Sequence, residues 1–231
     1  MRVLDLFSGI GGFSLGLERA GMETVAFCEI DPYCRAVLKK HWPSVPCYDD
    51  VRTLPRIGGI DLICGGFPCQ PFSVAGKQRG TADDRHLWPA MLDTIRRERP
   101  TWVIGENVTG IIRLGLDPVL SDLESEGYAC RTFAIPACGV DAPHKRERVW
   151  IVAHSERKRG CGGESDWQYA MDADSRRESI RGGYSRWGAE PNVGRISYGL
   201  SGRAYRLKCL GNAVVPQIPE IIGKAIMQVS A

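Results

Sequence analysis

Cys69, Glu106, Arg146 and Arg148 carry the groups in this 231-residue chain whose surroundings suit chemistry. Cys69 lies in Gly65-Gly66-Phe67-Pro68-Cys69-Gln70-Pro71-Phe72-Ser73, just past an apolar run and a glycine pair. A thiol is the strongest common side-chain nucleophile, yet at a free pKa of about 8.5 only a few per cent is thiolate at neutral pH. A polar loop with a basic residue such as Arg146 folded against it would raise that fraction. Taken alone, Pro68-Cys69-Gln70 also fits a buried structural cysteine, although the flanking glycines and prolines favour a loop. Glu106, followed by Asn107-Val108, closes the apolar run Trp102 to Gly105. A carboxyl just beyond a buried strand often has a raised pKa, which suits general acid work, while an isolated one reads equally well as a cap. Arg146 and Arg148 precede the apolar run Val149 to Ala153. Their i, i+2 spacing in an extended segment puts two guanidinium forks on one side, and solubility alone would explain them as readily.

A second set of residues has the pattern of a nucleotide-type site. The turn Phe7-Ser8-Gly9-Ile10-Gly11-Gly12 lets backbone approach a ligand closely at the start of a helix. Glu29 follows Gly9 by twenty residues, at the end of the next apolar run. An acid there commonly accepts from ribose hydroxyls. These two features fit a nicotinamide cofactor almost as well as S-adenosylmethionine. Ser73, Lys77, Arg79 and Arg85, in the loop beyond Cys69, are suitable partners for phosphate oxygens.

The elements that must position these groups follow from periodicity. Arg2 to Leu6, Thr24 to Cys28, Ile60 to Cys64, Trp102 to Gly105, Ala129 to Ile135 and Arg148 to Ala153 read as strands. Phe13 to Ala20, Pro32 to Lys40, Leu87 to Arg97, Pro118 to Ser125 and Pro216 to Val229 read as helices. Gly21 closes the first helix, and Pro32 opens the second. Strands alternating with helices at this spacing predict an α/β fold, a doubly wound and mostly parallel sheet whose ligands sit beyond the carboxyl ends of the strands. The candidate motifs fall there. From 155 to 202 the pattern dissolves into Gly, Arg, Ser and Asp with scattered aromatics. The expected organisation is therefore a domain at 1–154, a short irregular region at 155–202, and a segment at 203–231 returning to the domain.

Bulk composition sets the bounds. The chain is 43% hydrophobic and 25% charged, which suffices for one sizeable core. No apolar run reaches the eighteen or so residues a membrane helix needs, and no leader precedes the first strand, so a soluble cytoplasmic protein is expected. Nine cysteines and four histidines show no paired zinc spacing, and reduced thiols with no metal are expected. The net charge of +3 is too small to mark a nucleic-acid binder by itself.

Together these segments closely resemble the cytosine-5 DNA methyltransferase family. The resemblance rests on Asp5 to Phe13, Glu29, Asp50-Val51, Gly66 to Ser73, Glu106-Asn107-Val108, Arg146-Glu147-Arg148 and Gly211 to Pro216, in that order along the chain. It implies a Rossmann-like methyltransferase fold and S-adenosylmethionine as cofactor. Phe7, Gly9, Gly11, Glu29, Asp50, Val51, Pro68, Asn212 and Val214 would line the cofactor pocket. Cys69 would add to carbon 6 of a cytosine in double-stranded DNA, and Glu106 would hold or protonate ring nitrogen 3. Arg148 would contact the base carbonyl, with Arg146 on the thiolate side. Gln70, Ser73, Lys77 and Arg85 would face the DNA as the loop closes on a flipped base. A small monomeric enzyme is implied, with sequence readout confined to a short lobe at 155–202. His144 stands where the family usually has glutamine. A tRNA cytosine methyltransferase and a catalytically silent DNA-binding homologue are the alternatives that keep the fold.

Overall fold

The computed structural model describes residues 1–68, 87–155 and 209–230. Its centre is a seven-stranded sheet formed by β1 (Arg2–Leu6), β2 (Glu23–Cys28), β3 (Cys47–Tyr48), β4 (Leu62–Gly65), β5 (Trp102–Val108), β6 (Tyr128–Pro136) and β7 (Glu147–Ser155). The spatial order is β3-β2-β1-β4-β5-β7-β6. Four adjoining pairs run parallel, and only β7 is reversed, antiparallel to both β5 and β6. The doubly wound, mostly parallel sheet expected from periodicity is the one observed.

Helices cover both faces. They are α1 (Gly12–Arg19), α2 (Pro32–His41), α3 (Trp88–Glu98), α4 (Ile111–Leu114), α5 (Leu116–Ser125) and α6 (Gln217–Val229). The central strands are apolar on both sides because both sides are covered. Their alternation divides the core. Leu4, Leu6, Ile63 and Val103 point to one cluster with Met91, Ile95 and Leu123. Val3, Leu62, Cys64 and Ile104 point to the other, with Phe13, Leu17, Trp150, Ile218 and Ile222.

Helix starts carry local signals. Asp31 caps α2, its Oδ1 accepting from the Tyr33 and Cys34 N–H groups at 2.9 and 3.4 Å, with Pro32 in the first turn. Gly11 caps α1 at φ 88, and a Cβ there would lie 2.6 Å from the Trp42 ring. Only glycine meets both demands at once.

Register is what assembles the functional edge. Leu6 pairs with Cys28 on one side and Gly65 on the other, Gly65 pairs with Gly105, and Cys28 pairs with Tyr48. The residues that follow each of these, namely Phe7, Glu29, Gly66, Glu106 and Asp49, therefore emerge in one row at the carboxyl edge.

The strand boundaries differ from expectation in one consequential place. Glu106, Asn107 and Val108 belong to β5 and do not trail from it, because Glu106 pairs with Trp150 and Val108 with Arg148. Arg146 is the reverse case. It precedes β7 at φ 27, so the extended i, i+2 geometry expected of Arg146 and Arg148 does not hold.

Candidate active site

Along that edge lies a cavity of about 640 Å³, in the size range of small-molecule and cofactor sites. Phe7, Gly9, Glu29, Asp50, Val51, Pro68, Glu106, Arg146, Arg148, Asn212 and Val214 all line it. Gly11 does not, since it faces Trp42 and Leu38. Cys69, Gln70, Ser73, Lys77 and Arg85 lie outside the described residues, as does almost all of 155–202.

One end of the cavity is built from backbone turns and carboxylates. Phe7 is held at φ 53, an uncommon conformation for a side-chain-bearing residue and one that concentrates at functional sites. Glu29 is buried, and its two oxygens accept from the Gly9 and Asp31 N–H groups, each at 2.7 Å. The carboxylate thus fixes the glycine turn to the start of α2. A carboxylate has about four lone-pair sites, so acceptor capacity remains for ligand hydroxyls. Asp50 receives the Arg52 guanidinium at 2.6 Å, and this bond lowers the carboxyl below its ordinary range.

The other end holds an ion pair. Arg148 Nε lies 3.0 Å from Glu106 Oε1. Burial raises the Glu106 carboxyl above its ordinary value, while the charges of Arg148 and Arg146 act against that rise. Gly66 leaves room for this carboxylate, because a Cβ on it would lie 2.9 Å from Glu106 Oε2. Asn107, next along the strand, is buried and donates from Nδ2 to the Phe67 carbonyl at 2.9 Å. That bond and the Phe67–Trp88 ring contact, with centroids 5.1 Å apart, fix the backbone that leads into Cys69.

Arg146 lines the cavity and also reaches the C-terminal segment. Its Nη1 and Nη2 donate to the Gly211 and Ala213 carbonyls at 2.6 and 2.9 Å. One guanidinium thereby ties the C-terminal segment to the floor of the site, with its planar fork matched to two oxygens. Nothing local in the sequence signals this bond, which spans 65 residues to Gly211.

The model of the C-5 cytosine-specific DNA methylase family matches residues 1–176. The chain belongs to this family.

Among curated relatives, the chain is 37% identical to the type II methyltransferase M2.BsuMI of Bacillus subtilis, over 66% of this chain and 42% of that protein. It is 33% identical to M.HhaI of Haemophilus parahaemolyticus, over 66% and 48%, and 42% identical to M.NgoMIV of Neisseria gonorrhoeae, over 65% and 50%. The chain thus spans half or less of the length of these relatives. Among solved structures, the Dnmt2 methyltransferase of S. pombe superposes with a TM-score of 0.60 at 22% identity, over 73% of this chain and 55% of that one. The DNMT2 of Spodoptera frugiperda gives 0.57 at 22%, over 68% and 51%. These last two likenesses concern the fold. No helix among the described residues is long and apolar enough to cross a membrane.

Proposed function

We propose that this chain is a DNA (cytosine-5)-methyltransferase that moves a methyl group from S-adenosylmethionine to carbon 5 of a flipped cytosine in duplex DNA. The observation that carries the reading is the convergence of Glu106, Arg148 and the Gly66-Phe67-Pro68 lead-in to Cys69 on the cavity that Gly9, Glu29 and Asn212 also line. Cytosine is poorly reactive toward nucleophiles at carbon 6 until charge developing on the ring is neutralised. A raised carboxyl at Glu106 supplies that proton or hydrogen bond at ring nitrogen 3. Arg148 keeps the carboxyl in place and presents remaining N–H groups to the base carbonyl.

The Cys69 thiolate adds to carbon 6, and the ring electrons so released make carbon 5 nucleophilic. Bound S-adenosylmethionine would supply the methyl group there and leave as S-adenosylhomocysteine. Loss of the carbon-5 proton to water, return of the nitrogen-3 proton to Glu106 and departure of the Cys69 thiolate restore the aromatic ring with the methyl in place. The cofactor's demands fit the donor set present: Glu29 for ribose hydroxyls, Phe7 and Val51 for the apolar base, Asp50 for its amino group, and Pro68, Asn212 and Val214 for the remaining walls. Gln70, Ser73, Lys77 and Arg85 would contact the DNA, and the 155–202 region would supply recognition. The expected setting is the cytoplasm, associated with the nucleoid through DNA, as a monomer.

The test is transfer of tritium-labelled methyl groups from S-adenosylmethionine into duplex DNA and into tRNA, with wild type and Cys69→Ser side by side. Label in DNA that disappears in Cys69→Ser, with cofactor binding retained, is the expected result. Undiminished transfer by Cys69→Ser would refute the nucleophile, and label confined to tRNA would replace the substrate. Bisulfite sequencing of DNA from expressing cells then reads the target site directly.

A further inference from the structure

Cys34 and Cys209 are 175 residues apart in the chain, and neither belongs to the motifs that carry the family resemblance. In space their sulfurs lie 3.3 Å apart, and both residues are buried. An oxygen of Asp31 completes the group, the three potential ligand atoms all lying within 4.8 Å of one another. We propose that Asp31, Cys34 and Cys209 form a binding site for one thiophilic divalent cation of the zinc type, bridging α2 to the 209–214 segment.

Geometry and chemistry both favour a cation. In a tetrahedral zinc site with Zn–S bonds of about 2.3 Å, two sulfurs sit roughly 3.8 Å apart. The observed pair needs to open by only about half an ångström. Two thiolates and a carboxylate are a common borderline-soft donor set, leaving the fourth position to water or an incoming ligand. Asp31 Oδ1 already accepts from two N–H groups of α2, so the carboxylate is orientated before any ion arrives. Glu29, whose carboxylate accepts from the Asp31 N–H at 2.7 Å, adds negative charge beside the group, which favours a cation. Binding releases one proton from each thiol as the two metal–sulfur bonds form, so affinity must rise with pH.

Asp31, Cys34 and Cys209 line the same cavity as Glu29 and Asn212. If that cavity takes S-adenosylmethionine, a point that rests on the proposed function, then a cation held at its wall is expected to weaken cofactor binding. The bridge would act as an inhibitory device that pins the C-terminal segment to α2.

The experiment uses the whole reduced chain, stripped of metal, with cobalt(II) and zinc(II) as probes. Wild type is expected to bind one equivalent of cobalt(II) with an intense sulfur-to-metal charge-transfer band. Cys34→Ser and Cys209→Ser should each remove that band, and Asp31→Asn should weaken zinc binding about tenfold. Cys28→Ser and Cys130→Ser should leave it unchanged, with circular dichroism checking the fold of every variant. No charge-transfer band in wild type, or a band that survives in the Cys34→Ser/Cys209→Ser double variant, overturns the site. In a second arm, zinc(II) should raise the apparent Kd for S-adenosylmethionine in wild type and not in the double variant. Bound zinc(II) with unaltered cofactor affinity overturns the inhibitory role. Failure of S-adenosylmethionine to bind at all refutes the proposed function and leaves the metal result standing.

Discussion

Arg148 Nε lies 3.0 Å from Glu106 Oε1 at the wall of the cavity, and both side chains are largely withdrawn from solvent, at 22% and 12% exposure. Two opposed effects meet on that carboxyl. Burial favours the neutral acid, the guanidinium favours the anion, and burial prevails. A carboxylic acid that stays protonated above the ordinary range can donate to a ring nitrogen, which an ordinary glutamate at neutral pH cannot. Glu106→Gln keeps the shape and removes the transferable proton. Turnover on duplex DNA should fall by about 10²–10⁴-fold, the usual scale of general acid catalysis. S-adenosylmethionine affinity, measured by calorimetry, should change little. A variant with near-normal turnover would remove Glu106 from the chemistry.

The same pair fixes the sign of a pH effect. If the protonated Glu106 is the working form, the rate declines as pH rises through its folded pKa. Arg148 lowers that pKa, so replacing it with glutamine should let burial act with less opposition and move the alkaline limb of kcat/KM to higher pH. The overall rate should drop in the same variant, because the base loses a positioning contact. A limb that moves to lower pH, or does not move, would show that another group governs it.

Arg146 donates to the Gly211 and Ala213 carbonyls, which assigns it to holding the segment that carries Asn212 and Val214. Arg146→Ala should loosen that wall of the cavity, which on the proposed function holds the cofactor. Each charge-assisted bond is worth about 1.5–3 kcal/mol, but Arg146 is partly exposed and water will replace some of it. A rise of roughly tenfold in Kd for S-adenosylmethionine is expected, equivalent to about 1.4 kcal/mol. KM for the cofactor should rise more than kcat falls. The opposite split would place Arg146 at the reacting base.

The parts of this design that were legible in the sequence are those encoded locally. Val3–Leu6 and Leu62–Gly65 are buried on both faces, so short apolar runs identified them as strands. Pro32 announced the start of α2, and Gly21 the end of α1. Long-range pairing decided what was missed. β3 is two residues long and exists because Phe27 and Cys28 offer an edge. β5 continues through Glu106 because β7 pairs with it, and no local feature reveals the length of a partner strand. Arg146 was expected to alternate with Arg148, yet its backbone turns at φ 27 so that its fork reaches the 211–213 carbonyls. Ordered motifs pointed to most of the residues that line the cavity, whereas the Cys34–Cys209 contact has no sequence signature at all.

Gly66 tests how tightly the pair is packed. A methyl group there would lie 2.9 Å from Glu106 Oε2, closer than carbon and oxygen tolerate. Gly66→Ala should displace the carboxylate from Arg148, or shift the backbone that leads to Cys69. Because misplacement of about 1 Å can cost on the order of 10²-fold in rate, a loss of that scale is expected. The melting temperature should change far less, since only a loop at the strand end must adjust. Equal activity in Gly66→Ala would mean that this end of the cavity is loosely built.

Asp5 offers a prediction about stability that is independent of catalysis. It is fully buried in β1, and Ser14 Oγ donates to its Oδ2 at 2.7 Å, linking the strand to α1. Burial raises its carboxyl from 3.8 to about 7, against the pull of that hydrogen bond. A group with a raised folded pKa stabilises the fold in its protonated state. That contribution is complete below about 3.8, declines as pH rises, and is gone once pH passes through about 7. Across this window the folded chain binds more protons at Asp5 than the unfolded chain, so raising the pH favours unfolding. Asp5→Asn keeps an acceptor for Ser14 and cannot ionise, so this part of the pH dependence should vanish. For a shift of a few units the difference is on the order of a few kcal/mol. Urea unfolding of both proteins between pH 4 and 8 measures it. Parallel stability curves for wild type and Asp5→Asn would show that Asp5 keeps an ordinary pKa in the folded chain.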